Sequence, residues 1–273
     1  MQIAKDMGDD RIRVYRKDHS KFRRGKNDSV YLGAHLSNNE NILILDCDTL
    51  VEDTTDAIDK LYAGNDIVGI IIEIIPDGTL LSKCEQIEYS ISIGKARPWL
   101  YKNLHYLNNV SGAGFGIKRR CIIENRIPDG VIGEDMTYTQ IGLIKKWKIA
   151  LSSSVVKTYA TPGLKALFIQ RNRWVNGYYT IIRFTKRYVP LIESVTIYYR
   201  TLVTVLFLIL GGSITSHFLS LTLTTLLIYF LNEYRFVRSI KYTIIMMVYR
   251  QINFVSALTF WKYGRVWKVI RKA

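Results

Sequence analysis

Three groups of side chains in this chain could do chemistry, and they follow one another in order. The first, Asp46-Cys47-Asp48, sets two carboxylates at i, i+2. At the end of a strand, that spacing lets one carboxylate hold a divalent ion while the other reaches a ribose hydroxyl or the same ion. Hard oxygen donors select Mg²⁺ or Mn²⁺, and such an ion would neutralise a diphosphate as it leaves. The same residues would also make an ordinary solvated turn. The second group is Glu134-Asp135, placed after Gly133. Two acids there can cap a helix; alternatively Asp135, with Glu134 beside it, is a general base toward a hydroxyl, and a single displacement of that kind inverts configuration. The third group is Gln170-Arg171-Asn172-Arg173-Trp174. It offers an amide for hydroxyls, guanidinium groups for a diphosphate and an indole that can stack on a sugar face. Cations and a tryptophan also mark a membrane edge.

Elements must position these groups. Asn41 to Leu45 is a short apolar run that reads as a buried parallel strand, delivering Asp46 at the edge where open α/β sheets bind ligands. A surface helix is expected over Glu52 to Ala63, with Ile58, Leu61 and Tyr62 facing the core, then a β-branched strand over Ile67 to Ile75. Further expectations are a strand at Arg11 to Tyr15, helices at Ser29 to Leu36 and Ser82 to Ile93, and a strand near Trp147 to Val156. A helix over Met136 to Ile144 puts Glu134 and Asp135 at its N-terminus, where the dipole favours ionised acids. Ser111, Gly112, Ala113 and Gly114 open a glycine-rich stretch that runs through Phe115 to Ile117. Alternate glycines mean either tight packing or close approach by another molecule. The alternation of strands and helices predicts one α/β domain over residues 1–156.

Charge divides the chain. Up to Asp135 there are 18 Lys and Arg against 21 acids, and beyond it 20 against 2, so the net charge of +15 resides in the C-terminal half. That charge flanks apolar sequence instead of covering a polar helix, which favours anionic lipid heads and a pyrophosphate over nucleic acid as partners. Residues 157–193 mix cations with aromatics as interfacial helices do. Val195 to Gly211 and Ile214 to Leu231 approach the ~20 residues that cross a bilayer, giving two transmembrane helices within 194–232. Residues 233–273 read as a basic interfacial tail, with a helix in the interface over Tyr242 to Trp261. Positive-inside reasoning keeps the catalytic region and tail together on the cytoplasmic side of the cell membrane. Cys47, Cys84 and Cys121 are too widely spaced for a zinc site or a disulfide framework, and no secretory signal opens the chain.

Taken in order, the three motifs resemble the DxD, (G/T)ED and Q(Q/R)xRW motifs of membrane-associated family 2 glycosyltransferases of the hyaluronan, chitin and cellulose synthase type. Gly25-Lys26 resembles the GK before the first donor-site helix, and Trp267 to Arg271 the Trp-x-x-x-Arg close of many members. The resemblance implies a GT-A, Rossmann-like fold, a nucleotide-sugar donor (UDP-linked in the leading expectation) and Mg²⁺ or Mn²⁺. It implies that Asp48 and Asp46 hold the metal, that Lys26, Asp46 and Asp48 bind the donor, and that Asp135 is the base. Ser111, Gly112, Ala113, Gly114, Gln170, Arg171, Arg173 and Trp174 would line the acceptor and diphosphate site. Members normally begin with a further strand and an acidic turn, for which this chain offers no counterpart, so a GT-A domain lacking its first strand is expected.

The leading expectation is an inverting, metal-dependent transferase acting on a polysaccharide or glycolipid acceptor. Partner subunits for export are expected, because two crossings are too few for a self-contained channel. Two alternatives stand beside it: transfer of one sugar to a lipid, and an inert membrane protein that binds a glycan synthase. A basic RNA-binding protein is the third class, and it predicts salt-sensitive affinity.

Overall fold

The computed structural model describes residues 25–128 and 130–186, with shorter stretches between 9 and 18 and between 223 and 258. Both expected crossings lie outside the described residues, apart from broken helical stretches within 223–231. Among the described residues, no helix is long and apolar enough to cross a membrane.

Five strands form one sheet in the order β1-β4-β3-β5-β2: β1 (Asn41–Leu45), β2 (Thr49–Asp53), β3 (Ile67–Ile75), β4 (Gly114–Lys118) and β5 (Ile149–Tyr159). β3 runs parallel to β5 and antiparallel to β4, which is in turn antiparallel to β1; β2 is antiparallel to β5. Three of the strands read from the sequence, β1, β3 and β5, therefore share one direction. β3 is covered on both sides, which its sequence of six isoleucines and a valine around one glycine and one glutamate permits: Ile67, Val68, Ile70 and Ile72 are all but inaccessible. Each such side chain contributes about 2 kcal/mol of burial.

Helices α1 (Lys26–Leu36), α2 (Thr55–Tyr62), α3 (Leu80–Ile91), α4 (Arg97–Leu104), α5 (Arg119–Ile123), α6 (Glu134–Lys145) and α7 (Leu164–Thr185) surround the sheet, and a π-helical turn, Ser92–Ala96, joins α3 to α4. One core layer packs Phe115, Ile117, Tyr138 and Cys121 with Ala34 of α1. The opposite layer packs Ala57 and Leu61 of α2 against Val68, Ile70 and Val156. A last helix, α8 (Ile240–Leu258), lays Met246 and Tyr249 on Cys84 of α3 and Leu167 of α7.

Several expectations change. Arg11 to Tyr15 is not a strand, and β1 lies at an edge of the sheet among the described residues. Thr49–Asp53, expected within or just ahead of a helix, pairs with β5 instead, because Leu50 and Val51 match Lys157 and Val156 in register. The helix that follows starts only at Thr55. On it Tyr62 is 77 % exposed, and the buried positions are Ala57 and Leu61, one helical turn apart. The strand expected near Trp147 to Val156 is longer at its C-terminal end: β5 continues to Tyr159 as β3 keeps pairing with it to Ile75.

Candidate active site

The register of β1 and β4 builds the site's floor. Leu45 faces Gly114, so Asp46, the next residue, receives the segment Ser111 to Ala113 beside it. The Asp46 N–H donates to the Ala113 carbonyl at 3.2 Å, as does Thr49 Oγ1 at 3.1 Å. Thr49 N–H closes a turn onto the Asp46 carbonyl at 3.0 Å, which holds half-exposed Asp48 at the same sheet edge.

Lys26, at the first position of α1, ties this edge to the second acidic motif. Its ammonium donates to Asp46 Oδ1 at 2.6 Å and to the Gly112 carbonyl at 2.9 Å, and lies 2.6 Å from Glu134 Oε1. Burial works against the lysine's charge, but Glu134 and Asp46 outweigh it and hold the ammonium above the ordinary lysine range. The next two residues extend the grip. Asn27 Nδ2 donates to the Val131 carbonyl at 2.8 Å, and buried Asp28 accepts from Arg126 at 3.1 Å. Three consecutive side chains of α1 thus fasten the loop that leads to Glu134 and Asp135. The signal was available: a polar Lys-Asn-Asp run at a helix start has no packing role of its own.

Gly133, with φ 91°, turns the chain so that α6 begins at Glu134, two residues before its expected start. Glu134 is buried. Asp135 stands against Gly112, where an added methyl would meet its Oδ2 at 3.0 Å. Its side chain keeps some surface open to solvent but is crowded by protein. Desolvation first, and the neighbouring Glu134 second, push its carboxyl up to about 6, against the opposing pull of the Met136 N–H and Lys26. A carboxylate tuned this way binds protons better than free aspartate while remaining ionised at neutral pH.

α7 carries the third motif and supports the turn before Glu134. Thr180 Oγ1 accepts from the Ile132 N–H at 3.1 Å, and Gly177 lets the helix pass so close that a methyl there would lie 3.1 Å from the Ile132 carbonyl oxygen. On this helix Arg173 is exposed and Trp174 half-buried, while Gln170 keeps its amide oxygen shielded with no protein partner among the described residues. Arg171 departs from expectation. It is 3 % exposed, paired with Glu88 of α3, and donates to Tyr249 Oη at 3.0 Å. Its burial opposes the charge, but Glu88 holds the guanidinium well above the ordinary range. Its guanidinium lies over the Trp174 ring, 4.0 Å from the ring centre, with its charge met by Glu88. Glu88 and Tyr249 were missed because their partners lie 83 and 78 residues from them.

Among the described residues, no three His, Cys, Asp or Glu side chains form a ready cage for a metal. Asp46 and Asp48 nevertheless fit Mg²⁺ or Mn²⁺ in number and chemistry, since such ions take one or two carboxylates and draw their remaining ligands from water and substrate phosphates.

A comparison with curated proteins found no match. Among solved structures, the chain is similar to the mannosyltransferase PcManGT from Pyrobaculum calidifontis in complex with GDP-Man and Mn²⁺, with TM-score 0.54 and 15 % identity over 86 % of this chain and 67 % of that one. At that identity the likeness is one of fold, and it makes the mixed sheet a GT-A-like one. The sequence model of glycosyl transferase family group 2 matches residues 41–261, a span that takes in the carboxylates after β1, the acids that open α6 and the whole of α7. By that match the chain belongs to the family 2 glycosyltransferases and is a transferase enzyme.

Proposed function

We propose that the chain is an inverting, metal-dependent glycosyltransferase that moves a sugar from a nucleotide-sugar to a polysaccharide or glycolipid acceptor at the cytoplasmic face of the membrane. The observation that carries this is the placement of Asp135 over Gly112, with its carboxyl raised to about 6, on a turn that Lys26 ties to Asp46. Asp135 takes the proton of an acceptor hydroxyl as its oxygen attacks the anomeric carbon and the bond to the diphosphate breaks. One base and one displacement invert the configuration. Asp46 and Asp48 would hold the divalent ion, which when bound offsets charge on the departing diphosphate. Among the described residues the Gln170 amide oxygen has no protein partner and is offered to an acceptor hydroxyl, and half-buried Trp174 offers a ring for a sugar face.

The GDP-Man and Mn²⁺ of the mannosyltransferase neighbour support a nucleotide-sugar and a divalent ion here, with UDP-sugars the first expectation and GDP-sugars the next. The membrane setting rests on the C-terminal charge and the apolar segments within 194–232. The test is release of nucleoside diphosphate from a panel of UDP- and GDP-sugars with Mn²⁺ or Mg²⁺. Release from at least one donor, lost with chelator and in Asp135→Asn, is expected. A product of retained configuration would overturn the single-displacement mechanism.

A further inference from the structure

Arg171, Glu88 and Tyr249 come from three helices and meet at one point. Arg171 is on α7, Glu88 on α3 near the π-helical turn, and Tyr249 on α8. Arg171 Nη2 pairs with Glu88 Oε2 and donates to Tyr249 Oη at 3.0 Å, and Tyr249 Oη donates in turn to the same Glu88 oxygen at 3.0 Å. The triangle is closed and nearly dry: Arg171 is 3 % exposed, Glu88 12 % at its side chain and Tyr249 4 %. Around it Cys84, Leu167 and Met246 make an apolar collar.

The guanidinium that completes this triangle also lies 4.0 Å from the centre of the Trp174 ring. A cation held over the face of an indole favours the ring orientation that keeps that face toward it, because the attraction falls as the ring turns its edge to the charge. Trp174 is half-buried, so one part of it packs and another part remains open. Moving Arg171 would tilt the ring. The hydroxyl of Tyr249 is therefore the link through which α8, 75 residues further along the chain, bears on the orientation of Trp174.

We propose that Glu88 and Tyr249 are positioning residues for the acceptor side of the site: they hold Arg171, and Arg171 sets the plane on which an acceptor sugar stacks. This rests on the proposed role of Trp174, and it adds that acceptor affinity depends on the docking of α8. Tyr249→Phe is the variant of choice, since it deletes one oxygen and keeps the ring in its collar.

Two measurements separate this proposal from the transferase mechanism itself. The first needs no substrate. Each protein's tryptophan emission and acrylamide quenching are recorded with and without Trp174→Phe, so that the difference reports Trp174 alone among the five tryptophans. Tyr249→Phe should shift the emission and quenching of Trp174, and should change nothing once Trp174 is gone. An unchanged Trp174 signal would overturn the proposal whatever the enzyme's activity. The second uses octyl glucoside and octyl mannoside, below their micelle concentrations, as acceptor probes. Tyr249→Phe should raise the probe's KM about five- to tenfold, as coupling between residues of one hydrogen-bond network does, while leaving the donor's KM and acceptor-free nucleoside diphosphate release as they were. In the Trp174→Phe background the same change should have no further effect. Equal effects in both backgrounds, or an equal rise in donor KM, would also overturn it. If no donor is cleaved by the parent protein, the transferase mechanism fails, and the emission experiment still decides the positioning role.

Discussion

The ammonium of Lys26 lies 2.6 Å from the carboxylate of Glu134, 108 residues away in the chain. Because the same ammonium donates to Asp46, it spans the two acidic motifs and makes their separation a fixed distance. The pair is also electrostatically demanding. Glu134 is 8 % exposed at its side chain and Lys26 27 %, so neither charge could be left alone there without cost.

Lys26→Met should therefore destabilise the fold by about 3 kcal/mol, most of it the penalty of a buried Glu134 without its cation. Urea unfolding midpoints check this. The double variant Lys26→Met/Glu134→Gln should recover most of the stability and none of the transferase activity.

Asp135 should show the opposite relation between stability and activity. Its folded carboxyl is raised above the unfolded value of 3.8 to about 6, so its ionisation opposes folding. The penalty is absent below about pH 4, grows between pH 4 and 6, and is complete above that. Asp135→Asn should then raise stability by about 1–2 kcal/mol at pH 7.5, after discounting for the group's partly open surface, and by almost nothing at pH 4. Turnover should fall at least ~100-fold. Thermal melts at the two pH values, run beside product assays, test both halves.

The same group predicts the acid limb of the rate profile. With Asp135 protonated below about pH 6, kcat/KM should fall tenfold for each further unit. A limb near pH 4 would mean the base titrates as an ordinary carboxylate.

Gly112 and Gly116 should separate catalysis from folding. A methyl on Gly116 meets Leu61 Cδ1 at 2.8 Å inside the core, so Gly116→Ala should cost about 1–3 kcal/mol of stability. A methyl on Gly112 meets Asp135 Oδ2 at 3.0 Å, so Gly112→Ala should displace the base and lower kcat with a smaller effect on unfolding. Denaturation curves and kcat for the two variants test the contrast.

Asp48→Ala should weaken donor binding in Mn²⁺ and leave binding without metal unaltered, because it removes a proposed oxygen ligand of the ion. Titration calorimetry with UDP and GDP, with and without Mn²⁺, is the measurement.

Local chemistry made the candidate site residues visible in the sequence. Two acids after Ile42-Leu43-Ile44-Leu45 have few reasons to sit at a strand end, and β1, β3, α6 and β5 lie close to where apolar period and turn residues put them. Composition and spacing could not reveal the partners, because those depend on contacts between distant segments. Thr49–Asp53 became a strand since β5 had an open edge to fill, and the exposed acids in it could not signal that. Arg171 looked like its neighbour Arg173 in the sequence, yet helix rotation turned one toward Glu88 and left the other exposed. What the sequence determined by itself was which acidic, basic and aromatic side chains the candidate site offers and in what order. Only the tertiary structure decided which charges are neutralised internally. That follows from burial, which raises Asp135, commits Lys26 to Glu134 and seals Arg171 against Glu88, and burial belongs to the packed chain and to no segment of it.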